Sequence, residues 1–316
     1  MRLTIMLAAI LAAGTVSATD RAVTDSTGRA VTIPDNPHRI VVMHEPLIGI
    51  PLMDLGTDVV GAYGRDDNGK FVTAVDFIDT VFGPGHDKPK GFGAVGQIDL
   101  EKLRALDPDL IIGTDLDAAK ADQLSTVAPV YLQKAGAGKA YGFSVEADLA
   151  ELVGKSDVFA RRRQTYETHL AAVRQQLPAD PKGKTYLAIF LTDQINAVGD
   201  MSGAVQAMED LGYTRLRLDD GSGKGGLGST LMVPLSAEVF GRLDPDLLLV
   251  MNTYTGPARD EAATRAKLDR IIPGWDHFVK PAKEDRMIFL DSVAVTTPSV
   301  ASAIHTLDAV KAWAKH

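Results

Sequence analysis

LRALDPDLIIGT, Leu103 to Thr114, reads as the end of a helix, a sharp turn and the start of a buried strand. Pro108 has no N–H to give a helix, and it disfavours helical backbone at Asp107. The run Leu110-Ile111-Ile112 is apolar at every position, the pattern of a strand covered on both faces. The phrase returns in FGRLDPDLLLVM, Phe240 to Met251, with the same Leu-Asp-Pro-Asp-Leu ahead of a second aliphatic run. A glutamate stands five residues before the first Leu of each copy, Glu101 before Leu106 and Glu238 before Leu243. Matched flanks as well as matched cores point to one α/β unit written twice.

The sequence around each copy supports that. In the first half, residues 39–43, 57–63, 110–112 and 130–132 read as strands, separated by helical stretches that include 101–106 and 117–126. The second half repeats the grammar, with strands at 184–191, 215–218, 247–251 and 287–290 and helices at 204–211, 236–243 and 299–314. Strand alternating with helix predicts α/β architecture with mostly parallel sheets. Between the halves, 144–153 and 157–177 are helical, with Gly154 suited to end the first and Ser156 to cap the second. The second of these would act as a stiff strut rather than a flexible linker. The expected fold is therefore two Rossmann-like lobes joined by one long α-helix, with a ligand cleft between them. The expected parts are a leader over 1–18, a first lobe over 19–155, the joining helix over 156–180 and a second lobe over 181–316.

Arg2, the apolar run Leu3 to Ala13 and the small-residue site Val16-Ser17-Ala18 form a secretory signal peptide, too short for a membrane span. Cysteine is absent, which removes both a lipid-attachment thiol and any thiolate metal centre. The formal charge is −8, and its acidic sign argues against nucleic acid or an anionic lipid surface as partner. A free monomer in the periplasm, without membrane anchor, is the expected state.

Several motifs tempt and fail. GSGKGGLG, Gly221 to Gly228, contains a glycine pattern of dinucleotide loops, but STLMVP follows where a helix would have to start, and Lys224 precedes Gly rather than Ser or Thr. His44-Glu45 opens like a zinc-protease helix, yet Ile48 stands where the second His is needed and Pro46 interrupts the turn. The histidines, at 38, 44, 86, 169, 277, 305 and 316, are scattered, and no Gly-x-Ser-x-Gly elbow is present.

In order along the chain, the leader, VTIPDNPHRIVVM, GQIDLEKLRALDPDLIIG, the long middle helix and LSAEVFGRLDPDLLLV resemble the periplasmic binding proteins of ABC importers that carry ferric siderophores, haem or cobalamin. Within that class TDVVGAYGRDDNG, Thr57 to Gly69, is most similar to the enterobactin-type siderophore binders. The resemblance implies a non-enzymatic protein without a cofactor of its own. It would capture a ferric siderophore, with haem or cobalamin as the alternative ligand. It further implies that Glu101 and Glu238 dock on the inner-membrane ABC permease.

Open α/β sheets bind ligands beyond the C-terminal ends of their strands. Here those ends are the loops at His44-Glu45, Tyr63 to Gly69, Phe92-Gly93 and Thr114-Asp115, and in the second half Thr192 to Asn196, the glycine loop with Lys224, and Asn252 to Arg259. A ferric tris-catecholate is a bulky trianion with aromatic faces, so arginine for charge and rings for stacking are wanted. His44, Tyr63, Arg65, Phe92, Tyr254 and Arg259 are the expected ligand-binding residues. Tyr63, Tyr254 or His44 would serve as axial ligand were the cargo haem. Trp275 is expected to pack its lobe.

Overall fold

A computed structural model describes residues 20–72, 75–94, 96–135, 140–216 and 232–315. The leader at 1–18 and the glycine loop with Lys224 lie outside the described residues.

After a hairpin of β1 (Asp20–Thr24) and β2 (Ala30–Pro34), the first lobe builds a sheet in the order β5-β4-β3-β6-β7. Its strands are β3 (Ile40–Val42), β4 (Val59–Ala62), β5 (Lys90–Gly91), β6 (Leu110–Thr114) and β7 (Val130–Gln133), every pairing parallel. Helices α1 (Ile50–Asp54), α2 (Phe77–Phe82), α3 (Leu100–Ala105) and α4 (Ala121–Leu124) connect them. Then come α5 (Ser144–Leu152) and α6 (Ser156–Arg174).

The second lobe orders its strands β11-β9-β8-β12-β13, with β10 (Thr214–Arg215) pairing the start of β8. Here β8 is Thr185–Leu191, β9 Ile195–Val198, β11 Met232–Leu235, β12 Leu247–Met251 and β13 Met287–Leu290. Its helices are α7 (Gly203–Leu211), α8 (Ala237–Arg242), α9 (Glu261–Ile271), α10 (Trp275–Phe278), α11 (Lys280–Lys283), α12 (Ser292–Val295) and α13 (Val300–Trp313). β12 is parallel to β8 and β13, but β9 pairs antiparallel with both β8 and β11. Thr192 to Asn196 is thus a hairpin turn rather than a strand-to-helix loop. It turns β8 straight back into β9, with the Thr192 N–H donating to the Gln194 carbonyl at 3.0 Å and the Asn196 amide donating to the Phe190 carbonyl at 3.3 Å. Pro234 sits in β11 at the end of the strand order, where a missing donor is tolerated. Among the described residues, no helix is long and apolar enough to cross a membrane.

The repeated phrase does the same work twice. Asp109 accepts the N–H groups of His38 and Arg39 at 2.7 and 2.9 Å, tying the start of β6 to the start of β3. Asp246 accepts the Thr185 N–H at 2.7 Å, tying the start of β12 to the start of β8. An arginine then clamps each turn. Arg39 donates to the Leu106 and Asp107 carbonyls at 2.6 and 2.8 Å, and Arg286 donates to the Asp244 carboxylate at 2.8 Å and to the Pro245 carbonyl. Asp-Pro-Asp followed by aliphatic residues therefore registers the central strand of each lobe against its neighbour.

The joining helix is shorter than expected, ending at Arg174, and Lys155 rather than Ser156 occupies its N-cap. Gly154, at φ +67, turns the chain between α5 and α6. α5 buries Val145, Leu149 and Leu152 in the first lobe, whereas α6 buries Tyr166 and Val173 against the second. The strut is docked along one lobe and reaches the other by its side chains. Arg162 on α6 pairs with Asp54 at the end of α1. Asp54 in turn accepts the Ala301 N–H at 2.9 Å, and Glu146 on α5 accepts the Val300 N–H at 2.6 Å. First-lobe carboxyls thus occupy the N-terminus of α13, where the helix dipole favours them. Ile50, Phe77 and Ile78 pack with Val293 and Ala301 beside this latch.

Burial raises the Glu146 pKa well above the ordinary carboxyl range, and neighbouring Asp54 adds to the rise. The rise favours the protonated form, which Glu146→Gln mimics in shape and charge. Denaturant unfolding at pH 7 is expected to change by less than about 1 kcal/mol. A loss above about 3 kcal/mol would mean that an ionised Glu146 holds the lobes together.

Candidate functional site

A cavity of about 420 Å³ lies between the lobes and draws its wall from both. The first lobe contributes the ends of β3, β4 and β6, through Met43 to Leu47, Tyr63, Thr114, Leu116, Asp117 and Lys120, together with Phe71 and Phe77. The second contributes Phe190 of β8, Val198 of β9, Met232 of β11, Tyr254 beyond β12 and the Thr296-Thr297 turn. Strand ends of parallel sheets open a crevice because the following loops diverge there.

Three of the six expected ligand-binding residues are on the wall: His44, Tyr63 and Tyr254. His44 caps the wide helical turn Glu45–Gly49, its Nδ1 accepting the Leu47 N–H at 3.3 Å. An Nδ1 that accepts leaves the single proton of a neutral ring on Nε2. Burial pushes the ring's pKa down to about 4, against the attraction of Asp117. His44 is thus a neutral donor at physiological pH, and that tautomer has no Nε2 lone pair for haem iron. Tyr63 packs its ring 5.8 Å from Phe92, its hydroxyl accepts the Gly96 N–H, and the Lys120 ammonium lies 5.7 Å over its face. Tyr254 stacks 4.5 Å from Phe190 and 5.4 Å from Phe77, and its hydroxyl pairs with Thr296 at 3.0 Å.

The other three are elsewhere. Phe92 is fully buried behind Tyr63 and supports it. Arg65 is 1% exposed, and its guanidinium is spent on protein groups. It donates to both Glu45 oxygens, one at 2.7 Å, to Asp76 at 2.9 and 3.3 Å, and to the Gly69 carbonyl. Glu45 and Asp76 hold Arg65 above the ordinary arginine range, so it stays charged. Gly91 lets β5 press on it, since a Cβ there would stand 1.7 Å from the Arg65 carbonyl oxygen. Arg259 pairs with Asp291 at 3.1 Å and reaches across to Thr80 at 3.4 Å, bridging the lobes. Both arginines look like ligand handles in sequence because nothing local reveals their distant carboxylates.

The reading also missed Phe71, Phe77 and Phe190. With Tyr254 they form a row of rings from one lobe to the other, successive centroids 6.2, 5.4 and 4.5 Å apart. Phe190 was legible as the last aromatic of an apolar strand. Phe77 follows Asp76, which caps α2 by accepting the Asp79 N–H at 3.1 Å. The lone cation on the described wall, Lys120, is bonded to Asp117 at 2.8 Å. Among the described residues no cluster of His, Asp and Glu could hold a metal ion. Trp275 is buried in the second lobe, as expected.

Because the folded pKa of His44 lies below the unfolded value of 6.5, the unfolded chain binds the extra proton between the two. Stability should fall by about 1–3 kcal/mol as pH drops from 6.5 towards 4 on this account. An NMR titration of the His44 ring should give a midpoint near 4, and a midpoint near 6.5 would show an open, solvated ring.

Comparison with known proteins places the geometry. The family described as periplasmic binding protein matches residues 70–294. The ferric enterobactin-binding periplasmic protein FepB of Escherichia coli is 28% identical over 208 residues, covering 64% of each chain. The ferric-anguibactin-binding protein FatB of Vibrio anguillarum is 23% identical over 228 residues, covering 68% of this chain and 66% of that one. The chain thus matches just under two thirds of the length of either relative. Among solved structures, holo-ViuP superposes with a TM-score of 0.71 at 15% identity, covering 92% of this chain and 93% of that one.

Proposed function

The chain belongs to the periplasmic binding protein family, and from that premise we propose that it captures a ferric siderophore and delivers it to an ABC-type iron importer. The observation that carries the reading is the aromatic-walled cavity of about 420 Å³ shared by two lobes of repeated design. The siderophore satisfies the iron's coordination, so the protein supplies an outer shell of rings and hydrogen-bond donors and performs no catalysis. The iron chelate is cargo rather than cofactor. Export through the leader at 1–18 puts the protein in the periplasm, where it acts as a monomer.

Glu101 and Glu238 fit the docking role. Each lies in the first turn of a short helix capped by the preceding Asp99 or Ser236, and their side chains are 87% and 80% exposed. Among the described residues each pairs within its own helix, with Arg104 and Arg242 respectively, and is open to exchange for a permease arginine. One carboxylate per lobe would bridge both permease subunits.

Titration of intrinsic fluorescence with a panel of ferric siderophores tests capture. Quenching by at least one of them at micromolar concentration is expected. Absence of quenching by the whole panel, with a Soret band appearing on haem addition, would turn the reading to haem.

A further inference from the structure

We propose that the cavity selects ferric chelates of low net charge, neutral or singly charged, over trianionic tris-catecholates. The proposal rests on the siderophore reading above and narrows its ligand class. A trianion that leaves water for a cavity needs cationic donors that are not already committed. The charges of the described wall are balanced by opposite partners, so the wall presents no net positive charge to an anion. Glu45 is answered by Arg65 behind it, and Lys120 is answered by Asp117. Arg65 spends its guanidinium on Glu45, Asp76 and Gly69, and Arg259 faces Asp291 and Thr80. Recruiting Arg65 for a ligand would strand Glu45, which is 1% exposed.

What the wall offers freely is neutral. The Nε2–H of His44 is fixed as a donor by the Leu47 N–H on the opposite nitrogen. The Tyr63 hydroxyl accepts from Gly96 and keeps its own proton to donate. The row of Phe71, Phe77, Tyr254 and Phe190 supplies aromatic surface without charge. Such a wall suits the oxygens and apolar arms of a neutral hydroxamate or mixed-donor chelate. The chain's formal charge of −8 adds repulsion against a trianion at long range.

The test uses the whole chain and two hexadentate probes, a neutral ferric tris-hydroxamate and a trianionic ferric tris-catecholate, titrated by intrinsic fluorescence. The hydroxamate is expected to bind at least about tenfold tighter. A smaller margin, or tighter binding of the catecholate, overturns the proposal. Binding of neither probe overturns the siderophore reading itself, and the selectivity with it. A second variant removes dependence on the choice of probes. Leu116, 71% exposed at the rim, can carry a new ammonium without disturbing the core. Leu116→Lys is expected to raise the catecholate-to-hydroxamate affinity ratio by about tenfold. An unchanged ratio would show that charge does not set the selectivity and would overturn it.

Discussion

Arg65→Met should lower the unfolding free energy by about 3–5 kcal/mol, a large share of what holds an ordinary domain folded. The size follows from what the substitution leaves behind. Glu45 keeps both oxygens buried with their guanidinium partner gone, and the Gly69 carbonyl loses its donor. Asp76 suffers less, because Lys88 remains 3.1 Å away and the Asp79 N–H still bonds it. Adding Glu45→Gln to Arg65→Met should restore part of the loss, since the stranded charge is then removed. Denaturant midpoints of the two variants measure this. A loss below about 1 kcal/mol for the single variant would mean that Arg65 is free in the folded protein, as a ligand-binding arginine would be.

Reversing both docking glutamates, Glu101→Lys with Glu238→Lys, is expected to cut uptake of the iron chelate by cells at least tenfold while its affinity for the purified protein stays within about twofold. Exposed pairs within one helix turn contribute about 0.5 kcal/mol or less, so the fold should tolerate the change. The cavity is built from other residues, so capture should persist without delivery. Unchanged uptake would remove these glutamates from the permease contact.

The two lobes were legible because their determinant is local. Pro108 and Pro245 stop a helix, the aliphatic runs after them demand burial, and the second Asp of each phrase bonds backbone N–H at the start of the neighbouring strand. The antiparallel β9 and β11 were not legible, since a hairpin turn and a strand-to-helix loop draw on the same polar residues at Thr192 to Gln194. The cavity was half legible. Chain position relative to strand ends found His44, Tyr63 and Tyr254, which need only a loop to carry them there. The fate of Arg65 and Arg259 depends on carboxylates 20 and 32 residues away, at Glu45 and Asp291, and no local pattern announces such a pair. The same holds for the latch at α13, where Glu146 meets a backbone N–H 154 residues on.

Native mass spectrometry of the protein purified from its own periplasm under iron limitation tests the central claim most directly. The account predicts a one-to-one complex whose added mass is that of a ferric siderophore, released on denaturation with the iron isotope pattern. An added mass equal to haem, or to an iron-free metabolite, would contradict it.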